Sequence, residues 1–138
     1  RQMCIRDRIK AKYGRIITVS SVGGIRSVGY NYPAYSSSNA ALIELTKSVG
    51  IAYAKEGIRA NTIAPGFIAS PLVAKSLSSN YSTNADMLKR RNAASPTGEM
   101  GRPEDIASAA VFLASKAADY INAALIPVDG GLIHTTPN

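Results

Sequence analysis

Three short runs of aliphatic and β-branched residues punctuate the 138-residue chain, at Arg15–Val19, Ile58–Ala64 and Leu125–Val128. Each reads as a short strand, and in the first the β-branched pair Ile16-Ile17 with Val19 suits a strand covered on both faces of a parallel sheet. Gly14 ends what precedes the first run, so residues 9–13 read as the tail of a helix. From about Ala34 to Lys55 the period changes: Leu42, Leu45, Val49 and Ala52 recur at three- and four-residue spacing, which predicts a long helix. Ala41, Ile43 and Ile51 fall on its other faces, so the helix is expected to be covered on two sides, by the sheet and by a partner subunit. Gly57 is a natural stop for it.

Between these elements lie polar stretches. Ser20 to Pro33 is a loop with three glycines, and Ser70 to Thr97 is Ser/Asn-rich, expected to be irregular with short helices, a lid or substrate region. Pro103 suits the first position of a further helix, with Glu104 and Asp105 near its positive end and Ile106, Ala110, Leu113 and Ala114 as its inner stripe. Pro127 suggests that the last strand lies at an edge or that the proline sits at a strand end. The order strand, helix, strand, helices, strand implies a layered α/β structure with parallel strands.

Composition changes this picture little. The length suits one domain, and 46% hydrophobic residues can fill a core. The single cysteine, Cys4, rules out an internal disulfide and fits a reducing compartment, so a cytoplasmic protein is expected. No apolar run approaches the roughly 20 residues that span a bilayer, and no membrane partner is expected. The net charge of +7 is scattered; its one dense cluster beyond the N-terminus, Lys89-Arg90-Arg91, reads as a solvated helix face, and no nucleic-acid motif accompanies it. Residues 1–8 have no periodicity and read as a non-native leader, Met3–Arg8 matching the translation of a sequencing adapter; without them the charge is +5. No metal is expected, because no His, Cys and carboxylate cluster has ligand spacing. His134 has no nucleophile elbow to serve.

The candidate chemistry lies around the first strand and the long helix. Tyr35 and Asn39, four residues apart, share one helix face, and the first strand delivers Ser20 and Ser21. Two hydroxyls can thus converge on one carbonyl or alcohol. The run Gly14-Arg-Ile-Ile-x-Val-Ser-Ser21, the glycine loop, Tyr35-Ser-x-Ser38 and Ala40-Ala-Leu42 resembles the catalytic segment of the short-chain dehydrogenase/reductase family. Gly57-Ile-Arg-Ala-Asn61 with Ile63-Ala-Pro-Gly66, then Gly101-Arg-Pro-Glu-Asp-Ile-Ala107, then Val128-Asp-Gly-Gly131 follow in the family's order. The similarity is greatest to 3-oxoacyl-carrier-protein reductase-like members.

That resemblance implies an α/β fold, the C-terminal half of a doubly wound parallel (Rossmann-like) sheet whose N-terminal nucleotide-binding half is missing, with residues 9–138 as the catalytic and substrate half. It implies hydride transfer between NAD or NADP and an alcohol, ketone or acyl substrate, in a homotetramer or dimer. Tyr35 would be the general acid/base and Ser21, fourteen residues upstream, the hydroxyl on the substrate oxygen, with Ser20 its rival. The family's lysine, which favours phenolate and holds the ribose, is here Asn39, a residue able to bond a ribose without carrying charge. Lys47 lies too far along the helix to replace it. Pro65, Gly66, Ile68 and Ser70 would contact the nicotinamide side of the cofactor, Tyr35 and Asn39 its ribose; Ser70 could equally cap a helix before Pro71. Asn61 reads as structural, tying strand to loop. The loss of the lysine supports an alternative reading, a non-catalytic binding or assembly protein.

Overall fold

A computed structural model describes residues 5–29, 32–70 and 81–135. Its centre is a parallel three-stranded sheet in the order β1 (Gly14–Val19), β2 (Ile58–Pro65), β3 (Leu125–Val128). Gly14 pairs with Ile58 and Val19 with Ile63, while Thr62 to Pro65 pair with Leu125 to Val128. The three strands fall where their apolar runs lie. Helix α1 (Ile5–Ala11) precedes the sheet and starts within the stretch that lacks periodicity; Arg8 donates to the Arg15 carbonyl at 3.1 Å. Helix α2 (Pro33–Ala52), closed by a 3-10 turn at Ala54–Glu56 and Gly57 at φ 77°, covers one face of the sheet. Helix α4 (Pro103–Ala114) covers the other, and α3 (Asn84–Ala94) lies between β2 and α4 in the chain.

Side chains of β2 alternate between two cores. Ala64 packs with Val22 and Leu132, whereas Ile63 packs with Leu113 and Ala118. Between sheet and α2 the contact is polar: the Thr18 hydroxyl lies 2.9 Å from those of Thr46 and Thr62, and Thr46 donates to the Leu42 carbonyl at 2.7 Å. Each hydroxyl has a partner, as buried polar groups require. Two asparagines stitch the strand ends. Asn61 donates to the Ile121 carbonyl and accepts from the Ala124 amide, both at 3.0 Å, and Asn122 joins the Ala60 amide to the Gly50 carbonyl.

Four expectations change. The stripe of α2 that meets the sheet is Ile43, Thr46 and Gly50; Leu45 is 61% exposed and Ile51 70%. The helix can come close because Gly50 has no side chain: a Cβ there would stand 2.8 Å from the Asn122 side-chain oxygen. On α4, Ala109 takes the inner place given to Ala114, which is exposed. Within the polar stretch 70–97, residues 84–94 form a full helix with Thr83 as its cap, its hydroxyl accepting from the Asp86 amide at 3.0 Å. Residues 71–80 lie outside the described part, and with them the helix that Ser70 was expected to cap. Arg90 donates to Asp86 at 2.9 Å and, with Ser82, holds that carboxyl below its ordinary value, partly opposed by desolvation. The small stabilisation from this exposed pair is present above about pH 3.9, the unfolded value, and is lost as pH falls through the lower folded one. Arg91 of the basic cluster is buried, its guanidinium 4.7 Å above the Phe67 ring, so only part of that cluster is a solvated face.

Candidate active site

The register of β1 on β2 brings Ser20 and Ser21 out of the sheet level with Ala64 and Pro65, and the Ser20 amide still donates to the Ile63 carbonyl at 2.9 Å. The two serines then differ. Ser20 is buried and its hydroxyl donates to the Asn39 carbonyl at 3.0 Å, which spends it on anchoring α2. Ser21 is half-buried and caps a 3-10 turn at Val22–Gly24, its Oγ accepting from the Gly23 amide at 3.0 Å. An oxygen that accepts from a backbone amide keeps its own hydrogen free to donate elsewhere.

That turn packs on the first turns of α2, which Pro33 starts. The two candidate hydroxyl-bearing residues both come close to Gly23: a Cβ there would lie 3.4 Å from Ser21 Oγ and 3.5 Å from Tyr35 Cε1. Behind it Gly24 meets the helix backbone, where a Cβ would lie 2.8 Å from the Ala40 nitrogen and the Asn39 carbonyl carbon. Tyr35 is 53% exposed. Asn39 is half-buried and its amide donates to the Tyr35 carbonyl at 2.9 Å, so it is spent on its own helix. Lys47 pairs with Glu44 at 3.4 Å, two turns beyond Asn39.

Pro65, Gly66, Ile68 and Ser70 follow β2 at the same carboxyl end of the sheet, where open α/β sheets bind ligands. The Gly66 amide donates to the Val128 carbonyl at 3.0 Å, and a Cβ at Gly66 would lie 2.7 Å from the Asp129 Cα. Phe67 and Ala69 bracket Gly101 through two backbone bonds, 2.9 and 2.8 Å, which fix the course of Ile68. A cleft of about 540 Å3 opens beside this segment, between Phe67, Met100, Arg102 and Gly130; neither Ser21 nor Tyr35 lines it. Asp129, part of a motif quoted from the sequence but given no role of its own there, accepts with its carboxylate from the Gly131 and Ile133 amides at 2.9 and 2.8 Å. An aspartate before two glycines is the available signal for such a turn.

The family model described as enoyl-(acyl carrier protein) reductase matches residues 2–133. The chain belongs to the short-chain dehydrogenase/reductase family. Among curated members it is 40% identical over 130 residues to 2-dehydro-3-deoxy-D-gluconate 5-dehydrogenase of Bacillus subtilis, with 94% of this chain and 49% of that protein covered. It is 40% identical over 129 residues to 3-oxoacyl-acyl-carrier-protein reductase of Rickettsia conorii, covering 94% and 50%. A crystal structure of a gluconate 5-dehydrogenase from Burkholderia cenocepacia, in complex with NADP and tartrate, superposes with a TM-score of 0.83 at 30% identity, covering 96% of this chain and 49% of that one. The chain spans about half the length of the relatives it matches, their C-terminal part. Among the described residues of this short-chain dehydrogenase/reductase no helix is long and apolar enough to cross a membrane.

Proposed function

We propose that this chain is the C-terminal catalytic half of a cytoplasmic oxidoreductase that moves a hydride between NAD(P)(H) and an alcohol or ketone, the 3-oxo group named in the reductase relatives being one such ketone. The observation that carries this reading is the approach of Ser21 Oγ and the Tyr35 ring to one point beside Gly23, 3.4 and 3.5 Å from where its Cβ would stand. Tyr35 gives a proton to the substrate oxygen in reduction and takes it back in oxidation, while Ser21 donates a hydrogen bond to that oxygen. Pro65, Gly66, Ile68 and Ser70 fit the nicotinamide side of a dinucleotide, because Gly66 lets the chain run close under the loop after β3. When bound, the nicotinamide supplies or accepts the hydride. The sequence holds no glycine-rich turn of the kind that cradles a pyrophosphate, so the chain alone is expected to show no measurable binding of NAD(H) or NADP(H) by calorimetry. A dissociation constant in the micromolar range would contradict this.

The direct test joins the chain behind the nucleotide-binding half of a curated relative. NAD(P)-linked turnover of alcohols or ketones, lost in Tyr35→Phe, is the expected result. A fusion that binds cofactor and never turns over would favour the second reading, a non-catalytic binding or assembly protein. That reading draws on one observation, the Asn39 side chain bonded back to its own helix. The apolar residues on the outer side of α2, Leu45 and Ile51, and the outward Val111 and Phe112 of α4 call for a second copy of the chain. Light scattering of the fusion is expected to give a dimer or tetramer, and a clean monomer would refute the assembly.

A further inference from the structure

The loop that carries Ser21 is held from behind by the far end of the chain. Arg26 follows the 3-10 turn directly, and its Nη1 donates to the Ile133 carbonyl at 2.8 Å and to the Thr135 carbonyl. Val22, inside the turn and 2% exposed, packs on Leu132 in the same cluster. The segment it meets is itself fixed, since Asp129 accepts from the Gly131 and Ile133 amides and the Thr135 hydroxyl donates to the Leu132 carbonyl at 2.8 Å. A single cationic nitrogen thus joins two carbonyls more than a hundred residues away in sequence to the loop whose cap is Ser21. Charge-assisted bonds of this kind are roughly twice as strong as neutral ones.

We infer that Arg26 is a positioning residue, and that the C-terminal segment Leu132–Thr135 acts through it as a strut setting the orientation of the Ser21 hydroxyl. The inference rests on Ser21 being the substrate-facing hydroxyl of the proposed function, but its test does not use activity. The turn is closed by the Gly23 amide on Ser21 Oγ and by the Gly24, Ile25 and Arg26 amides on the carbonyls of Ser21 and Val22. If the strut sets the loop, removing it frees those amides.

The experiment is hydrogen exchange of the full chain read by peptide mass, with Arg26→Ala and Arg26→Lys. In Arg26→Ala the peptide spanning residues 21–26 is expected to exchange at least about tenfold faster, while the β2 peptide 58–65 keeps its protection. Arg26→Lys is expected to restore exchange to within about threefold, because one ammonium can bridge both carbonyls as Nη1 does. Faster exchange confined to residues 132–135, with 21–26 unchanged, would overturn the inference. Should Arg26→Ala loosen β2 as well, the lysine variant decides: a β2 that stays protected, with any faster exchange confined to residues 21–26 and 132–135, supports the strut, and β2 loosening together with 21–26 overturns it. A protected loop in a fusion that never turns over would sink the proposed function and leave the strut standing.

Discussion

Replacing Asn39 by lysine in the fused protein is expected to raise turnover at neutral pH by roughly 100- to 1,000-fold. The estimate comes from the charge alone. An ammonium beside a phenol favours the phenolate, and that range of rate corresponds to about 3–4 kcal/mol of such stabilisation, at about 1.4 kcal/mol per tenfold. Position 39 is one helical turn after Tyr35 on the same face, so a lysine there extends past the ring toward the hydroxyl rather than away from it. The native amide is absorbed by the Tyr35 carbonyl at 2.9 Å, a contact the lysine chain gives up at little cost because a helix interior satisfies that carbonyl anyway. The alkaline limb of the pH–rate profile should move to lower pH in Asn39→Lys, while KM for the cofactor changes less than turnover, since asparagine can keep part of a ribose contact. Stopped-flow absorbance at the nicotinamide band across pH separates these quantities. Equal rates in the two proteins would mean either that Tyr35 is not the acid/base or that catalysis has been abandoned.

The strands and their parallel order were legible in the sequence because Ile16-Ile17 with Val19, and Ile58 with Thr62-Ile63, are β-branched clusters between glycine and proline stops, separated by a segment of helical period. Pro103 and Asn61 were legible for a local reason: a proline suits only the first turn of a helix, and a buried amide must be paired. The face of α2 was not. Its apolar residues spread around the helix, and what decides the contact is how closely the backbones approach, which Gly50 and the Thr46 hydroxyl permit. Large side chains such as Leu45 cannot enter so narrow a gap and are left outside.

The choice between Ser20 and Ser21 lay beyond periodicity for a similar reason. Adjacent residues at a strand end point to opposite sides, and the sequence does not say which side holds the helix. In the structure Ser20 reaches the Asn39 carbonyl and Ser21 caps the 3-10 turn that packs on α2. The Arg26 contact had no local signal at all, since its acceptors are backbone carbonyls at the far end of the chain.

The two neighbouring glycines of the 3-10 turn are expected to respond very differently to a single methyl group. At Gly23 a Cβ would meet Ser21 Oγ at 3.4 Å and the Tyr35 ring at 3.5 Å, ordinary contact distances, so Gly23→Ala should leave stability within about 0.5 kcal/mol. At Gly24 the same atom would stand 2.8 Å from the helix backbone at Ala40 and Asn39 and 2.9 Å from the Asn39 Cβ. Backbone inside a helix cannot rotate away, and the turn must therefore retreat from α2 by several tenths of an ångström or more. Overpacking of this sort costs about 1–3 kcal/mol, which for a domain of this size lowers Tm by roughly 4–10 °C in a thermal melt. The retreat also carries Ser21 away from Tyr35, and a misplacement approaching 1 Å can cost about 100-fold in rate. Gly24→Ala in the fused protein is thus expected to lose about two orders of magnitude in turnover while Gly23→Ala loses less than tenfold. If both variants melted and turned over alike, the seat of the serine turn on α2 would not be what places the two hydroxyls together.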